Sequence, residues 1–215
     1  MSNPTTPASI GPGEFFPVVG VGPHEKPWPE GAHYDPELLL NGDRRNVLDH
    51  YRYWTVEAIV ADLDSKRHKL QIAIENWQHD LNIGSVVRTA NAFNVSGVHI
   101  VGKRDWNKRG AMVTDRYLTV HHHPTVEDFA LWCKENKLPI IGIDNVPGSK
   151  QLESAQLPEK CVLLFGQEGA GMSDEGIAVC EVLYEINQYG STRSMNASAA
   201  GAIAMYHWAL QHLPR

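Results

Sequence analysis

Ser194 and Asn196 stand two residues apart, with Arg193 beside them, in the stretch INQYGSTRSMNASAAGAI (186–203). An alanine-rich helical pattern begins directly after them. A serine or asparagine side-chain oxygen at that position accepts a free N–H of the first helical turn. One such cap is enough, so two caps and an arginine exceed what a helix start needs. The run ASAAGAIA (197–204) is made of small residues, which predicts that another backbone or helix packs closely on the first turns.

A second cluster is NIGSVVRTANAF (82–93). Asn82 can cap a helix, Gly84 lies in its first turn, and Arg88 sits among Ser85, Thr89, Ala90 and Ala92. A lone arginine is ordinarily a surface residue. Flanked by small residues at the end of a strand, it can instead reach over its helix into a cleft, where its planar fork suits phosphate oxygens. The third cluster, FGQEGAGMSDE (165–175), has glycines at 166, 169 and 171 between a strand and a helix pattern. Its spacing approaches a phosphate-binding P-loop, but Met172 occupies the lysine position and Glu168 would repel phosphate. Nucleoside triphosphate binding is therefore rejected. A tight turn capped by Ser173 explains one glycine. The others let a ligand approach the backbone, and a neutral ring or a sulfonium fits better than polyphosphate.

Between these clusters lies GKRDWNKRGAMVTDRY (102–117). Lys103, Arg104, Lys108, Arg109 and Arg116 outweigh Asp105 and Asp115, with Trp106 and Tyr117 interleaved. Charge runs are usually solvated loops. Positive charge with aromatics in an acidic chain points instead to RNA, through phosphate contacts and base stacking. The histidines at 121–123 alternate faces if extended, so at most two could share one ion. They read as a surface strand or a dimer edge, and no metal site is assigned.

These clusters need a scaffold. The chain has 215 residues, 42% hydrophobic and 20% charged, with net charge −6. This is an ordinary globular composition, and the charge argues against coating nucleic acid globally. No apolar run is long enough to span a membrane, the N-terminal stretch does not read as a secretory signal, and Cys133, Cys161 and Cys180 fit no zinc or redox spacing; a cytoplasmic protein is expected. Residues 1–42 hold eight of the 13 prolines and six glycines, which predicts an extension without regular helix or sheet. Its first fourteen residues read as a flexible leader, while Phe15, Phe16, Trp28 and Tyr34 imply that 15–42 lies across the domain or a partner subunit. Residues 43–68 read as an N-terminal helix, by the apolar spacing through 44–64, and a connector. Residues 69–215 then alternate: strands at 69–76, 98–102, 139–144, 161–166 and 182–186, and helices at 82–94, 125–137, 173–180 and 197–213. That alternation predicts a mostly parallel sheet with helices on both faces, with ligands bound beyond the carboxyl ends of the strands.

Taken together, the three clusters resemble the three motifs of the SPOUT class of RNA methyltransferases, in the TrmH (SpoU) branch, from about Leu70 to Leu210. One motif alone would be weak evidence; three in order are specific. The resemblance implies an α/β fold with a C-terminal trefoil knot, S-adenosylmethionine bound in the knot, and a homodimer with the active site at the subunit boundary. It implies methyl transfer to a ribose 2′-oxygen of RNA, most often tRNA and sometimes rRNA. By position, Arg88 matches the catalytic arginine, supported by Asn82. Ser194 and Asn196 match the pair that orients the nucleotide and the arginine, and Glu168 organises the loop or the dimer contact. Gly166, Ile186 and Met195 match positions whose backbone cradles the cofactor, with Ile143 lining the same pocket. Lys103, Arg104, Trp106, Lys108, Arg109 and Arg116 remain the RNA-binding set read from the basic loop. The chain departs from the family at Asn187, where a proline is usual, which predicts a looser loop. A non-catalytic RNA-binding member of the fold is the remaining alternative, opposed by the intact motif residues.

Overall fold

The computed structural model describes residues 20–78 and 82–214. The leader over 1–14, with Phe15 and Phe16, lies outside them. The chain divides into two units, Met1–Thr55 and Val56–Arg215.

In the first unit the proline-rich stretch does contain one regular element, against expectation: α1 (Pro36–Asn41). Its proline falls in the first turn, where an N–H is not needed. The Asp35 carboxylate accepts from the backbone N–H of Glu37 at 2.8 Å and Leu38 at 3.4 Å, and Gly42, at φ 89°, ends the helix. The next residue, Asp43, is fully buried and accepts from the Arg45 guanidinium and from the backbone N–H of Arg45 and Tyr53. Burial alone would raise the Asp43 pKa, but these hydrogen bonds outweigh it and hold it below the usual value. Tyr53 takes φ 64°. The helical spacing read through 44–64 is therefore broken there, and only α2 (Val56–Asp64) is α-helical, after a 3-10 turn at Asp49–Tyr51.

The second unit carries the alternation as predicted. After α2 come β1 (His68–Asn76), α3 (Asn82–Ala92), β2 (Val95–Gly102), β3 (Val120–His123), α4 (Val126–Glu135), β4 (Ile140–Ile143), β5 (Lys150–Gln151), β6 (Cys161–Phe165), α5 (Asp174–Ala178), β7 (Val182–Glu185) and α6 (Ala197–His212). The strands form one sheet in the order β3-β2-β1-β6-β4-β7-β5, and every pair is parallel. β5 lies within a stretch read as loop; two residues are too few to carry a periodic signal. Thr125 and Asp128 form the expected reciprocal start of α4, with Asp128 N–H donating to Thr125 Oγ1 at 3.1 Å.

Period-two alternation sends Leu70, Ile72 and Ile74 to one face of β1 and Ala73 to the other. The first face packs under Ile83, Val86 and Val87 of α3 and Ala204, Met205 and Trp208 of α6. The second packs under Val126, Phe129 and Cys133 of α4, with Met172. Helices thus cover both faces, as buried parallel strands require. The C-terminal half of α6 is tied down: Trp208 Nε1 donates to the Pro158 carbonyl at 3.1 Å, and the Gln211 side chain bonds Leu157 N–H and the Ala155 carbonyl, both at 2.9 Å. Its N-terminus is thereby set above the ends of β4, β6 and β7.

Candidate active site

Beyond the carboxyl ends of β4, β6 and β7 lies a cavity of about 370 Å³. Its wall includes Ile143, Gly166, Glu168, Ile186, Ser194, Met195 and Asn196, which come from four separate stretches of sequence. Asn82 and Arg88 are not on that wall. Asn82, at the start of α3, donates its Nδ2 to the Glu168 carboxylate and accepts at Oδ1 from Asn196 Nδ2 at 2.8 Å. One residue from each of the three clusters thus joins a single hydrogen-bonded chain, Asn196 to Asn82 to Glu168. Arg88, six residues along α3, is exposed, and its side chain has no hydrogen bond or ion pair among the described residues.

The cap of α6 is Asn196. Its Oδ1 accepts from Ser198 N–H at 3.0 Å and Ala199 N–H at 3.3 Å. The Ser194 hydroxyl has no partner among the described residues and lines the cavity. The expected close approach on α6 is milder than read: a Cβ added at Gly201 would meet nothing nearer than Val86 Cγ2 at 3.6 Å.

The glycines of the 166–171 loop serve the loop itself. A Cβ on Gly166 would fall 2.1 Å from Met172 N and 2.2 Å from Gly171 C, and Gly169 and Gly171 take φ 86° and 73°. Gln167 and Gly171 exchange both backbone hydrogen bonds, at 3.2 and 3.0 Å. Local backbone crowding, not only ligand approach, requires glycine there. Ser173 caps α5, as read, with Gly176 N–H donating to its Oγ at 3.0 Å.

Two acids that hold this loop were missed in the sequence. Glu75 of β1 is completely buried and accepts from Ser173 N–H at 2.7 Å and Ser173 Oγ at 2.5 Å. Asp144, on the cavity wall, accepts from Met172 N–H at 2.7 Å and Asn145 N–H at 2.8 Å. The available signal was a carboxylate at the carboxyl end of each of two strand patterns, Glu75 in KLQIAIEN and Asp144 in PIIGID. Nor is the loop at Asn187 left free. Its backbone N–H, which a proline would lack, donates to Glu153 Oε1 at 3.1 Å. The Arg193 carbonyl accepts from Asn145 Nδ2 at 2.5 Å and Gln188 Nε2 at 3.3 Å.

Among the described residues lining the cavity there is no lysine, arginine or histidine, while Asp144 and Glu168 are present. Such a wall disfavours polyphosphate and suits a ligand with positive charge and an apolar body, laid against Ile143, Phe165, Ile186 and Met195.

Lys103, Arg104, Trp106, Lys108, Arg109 and Arg116 lie elsewhere, on the segment between β2 and β3. The 3-10 turn Arg109–Ala111 docks on the start of α3: a Cβ on Gly84 would meet Ala111 N and Asn107 O at 2.8 Å and Gly110 Cα at 2.9 Å. Lys108 pairs with Asp115 at 3.0 Å. Tyr117, read as a stacking residue, is instead buried, 4% exposed. The three histidines alternate as expected on β3, an edge strand. His121 and His123 share a face with His99 of β2, which hydrogen-bonds His123 at 2.9 Å and Gln71 at 2.6 Å, while His122 bonds the Gly102 carbonyl. No group of histidine, cysteine or acid side chains suited to hold a metal ion exists among the described residues, and none of their helices is long and apolar enough to cross a membrane.

Comparison with known proteins agrees with this architecture. The chain is 25% identical over 147 residues to the tRNA (guanosine(18)-2′-O)-methyltransferase of Borreliella burgdorferi, covering 67% of each. It is 25% identical over 169 residues to the protein of that name from Saccharomyces cerevisiae, covering 72% of this chain but only 12% of the yeast protein. The crystal structure of the SpoU methyltransferase AviRb from Streptomyces viridochromogenes in complex with the cofactor AdoMet matches 71% of this chain and 61% of that one, with a TM-score of 0.62 and 22% identity, a likeness of fold. Residues 69–206 match the model of the SpoU rRNA Methylase family. With most of its length inside that match, and with the three clusters joined through Asn196, Asn82 and Glu168, the chain belongs to the SpoU rRNA Methylase family.

Proposed function

We propose that this protein transfers a methyl group from S-adenosylmethionine to a ribose 2′-oxygen of RNA, with tRNA as the favoured substrate. The observation that carries this reading is the chain from Asn196 through Asn82 to Glu168, which links the three motif clusters at the rim of a cation-compatible cavity. The names of the relatives and the cofactor in the AviRb structure support it.

Bound S-adenosylmethionine supplies an electrophilic methyl group on its sulfonium. Ile143, Gly166, Ile186 and Met195 would hold it, with Asp144 and Glu168 facing its positive charge. Asn82, fixed by Glu168 and Asn196, anchors the start of α3. Arg88, six residues on, would hold the phosphate beside the reacting ribose and help activate the 2′-hydroxyl; its oxygen would take the methyl carbon as the carbon–sulfur bond breaks and a neutral thioether leaves, and its proton would pass to solvent. A free guanidinium is a poor base, because its pKa exceeds about 12. Most of the rate gain therefore comes from alignment, which can contribute roughly 7–11 kcal/mol. Ser194, without a partner of its own, orients the nucleotide.

The reading includes a cytoplasmic homodimer with the active site at the subunit boundary. Ile203, Tyr206 and Leu210 form an exposed apolar stripe along α6, 43%, 57% and 43% accessible, and such a stripe suits a second copy. The trefoil knot belongs to the same reading, supported by the insertion of β6 between β1 and β4. The same reading divides the chain into a Pro/Gly-rich extension (1–42), an N-terminal helix and connector (43–68) and a methyltransferase domain (69–215).

The test is transfer of labelled methyl from S-adenosylmethionine to unfractionated tRNA, followed by nucleoside mapping. Arg88→Ala is expected to cut turnover by about 100-fold or more, a loss typical of one charge-stabilising group, with unchanged circular dichroism because the side chain is exposed. Near-normal turnover would remove Arg88 from the mechanism. A second reading, the same chemistry on rRNA, is favoured by the family's own description; methylation of ribosomal RNA and not tRNA would establish it.

A further inference from the structure

A second cavity, of about 470 Å³, lies beneath the basic segment at the β3 edge of the sheet. It shares no lining residue with the cavity at Ile143. Ile100, Leu118 and Val120 give it an apolar floor, Trp106 an aromatic wall, and Arg104, Lys108 and His122 a polar rim. Trp106 is half-buried, with Lys108 Nζ 5.4 Å from its ring centroid. Of the two acids on the wall, Asp115 is paired with Lys108, and Asp105 has no ion pair among the described residues; nor has Arg104.

We infer that this cavity takes one unstacked nucleotide of the substrate RNA, at a fixed offset from the methylated one. The inference rests on the RNA methyltransferase reading above and adds the place where substrate sequence or shape is sensed. Three features support it. Its volume falls in the range of small-ligand sites. An indole wall with a cation at the rim matches a base stacked on an aromatic ring with its phosphate held by arginine. Its position is locked to the active site from two directions. Asn76 Nδ2, at the carboxyl end of β1, donates to the carbonyls of Lys103 at 2.7 Å and Asp105 at 2.9 Å. Gly84 and Gly110 let the 109–111 turn sit directly on the first turn of α3, the helix that carries Asn82 and Arg88. A nucleotide seated against Trp106 therefore fixes the RNA relative to Arg88 without touching the cofactor cavity.

The experiment uses the full chain with unfractionated tRNA and labelled S-adenosylmethionine, and compares wild type with Trp106→Leu, Trp106→Phe and Val120→Trp. Val120 is exposed at the sheet edge, so the larger ring there fills the cavity without disturbing the core. Trp106 packs against the core, so Val120→Trp keeps the test valid even if Trp106→Leu unfolds. Trp106→Leu and Val120→Trp are expected to raise the KM for tRNA about tenfold or more, the loss of one base stack. Trp106→Phe should recover most of it, and the Kd for S-adenosylmethionine by titration calorimetry should stay at the wild-type value. If wild type is active and both variants show its KM, the nucleotide site is overturned while the methyltransferase reading stands. If wild type methylates neither tRNA nor, in a parallel assay, ribosomal RNA, that reading falls and this inference with it.

Discussion

Asn196 has two jobs on two different atoms. Its Oδ1 caps α6, and its Nδ2 donates to Asn82. Replacing it by aspartate keeps the acceptor and deletes the donor, so the two roles separate. Asn196→Asp is expected to leave stability nearly unchanged, since aspartate is an equally good cap, whereas Asn196→Ala should cost about 1 kcal/mol. Both should reduce turnover, because Asn82 loses one of the two groups that fix it. Urea unfolding beside a methyl-transfer assay checks this; an aspartate variant with full activity would reduce Asn196 to a helix cap. Glu75 shows how little its type alone says. In sequence it is one of several polar residues in a strand; in the fold it holds the turn after the glycine loop through Ser173.

At the scale of elements, the β2–β3 edge carries a titration of its own. Burial pushes the His99 imidazole down to about 2, with His121 and His123 adding to the effect, and burial lowers His121 and His123 as well. Of the other groups that act on His123, His122 on the opposite face of β3 lowers it further, and only Asp128 works in the opposite direction. Below an unfolded value of about 6.5 the unfolded chain binds protons that the folded cluster refuses, so stability falls as pH falls. The expected loss is on the order of 1 kcal/mol per pH unit for His99, which stays neutral across this range. Urea midpoints measured between pH 7.5 and 5 should show it, and His99→Gln should flatten the slope whatever it does to stability at pH 7.5. An unchanged slope in that variant would clear His99 of the effect. The loop at Asn187 belongs to this scale too. The sequence predicted looseness from a missing proline, but Glu153 accepts the extra N–H and restrains the loop in another way.

For the whole molecule, α6 is apolar on nearly every side. Gly201, Ala204, Met205, Trp208 and Ala209 are buried, while Ile203, Tyr206 and Leu210 remain exposed. A helix hydrophobic all round is normally buried all round, which is the physical basis for a second copy on the open side. Ile203→Glu combined with Tyr206→Glu should shift the protein toward monomer in sedimentation equilibrium, with loss of methyl transfer if the site lies at the boundary. Wild-type protein that sediments as a monomer would remove the dimer from the proposal.

The sequence alone determined the alternation of strands and helices in residues 69–214, because period-two and helical patterns follow from burying one face of each element. It also located the three clusters, since glycines, caps and a misplaced arginine are chemical surpluses that local structure does not require. It did not determine the break at Tyr53, where a buried Asp43 draws the backbone N–H away from helical geometry. It could not tell that Tyr117 points into the core while Trp106 lines a cavity, because both sit in one irregular segment with no period. Nor could it show that Asn82, Glu168 and Asn196 form one chain. Those contacts span 86 and 114 residues, and only a sheet that inserts β6 between β1 and β4 brings the three strand ends together. Contacts between side chains that far apart in sequence are set by strand order, and strand order is a property of the packed sheet that no local pattern encodes.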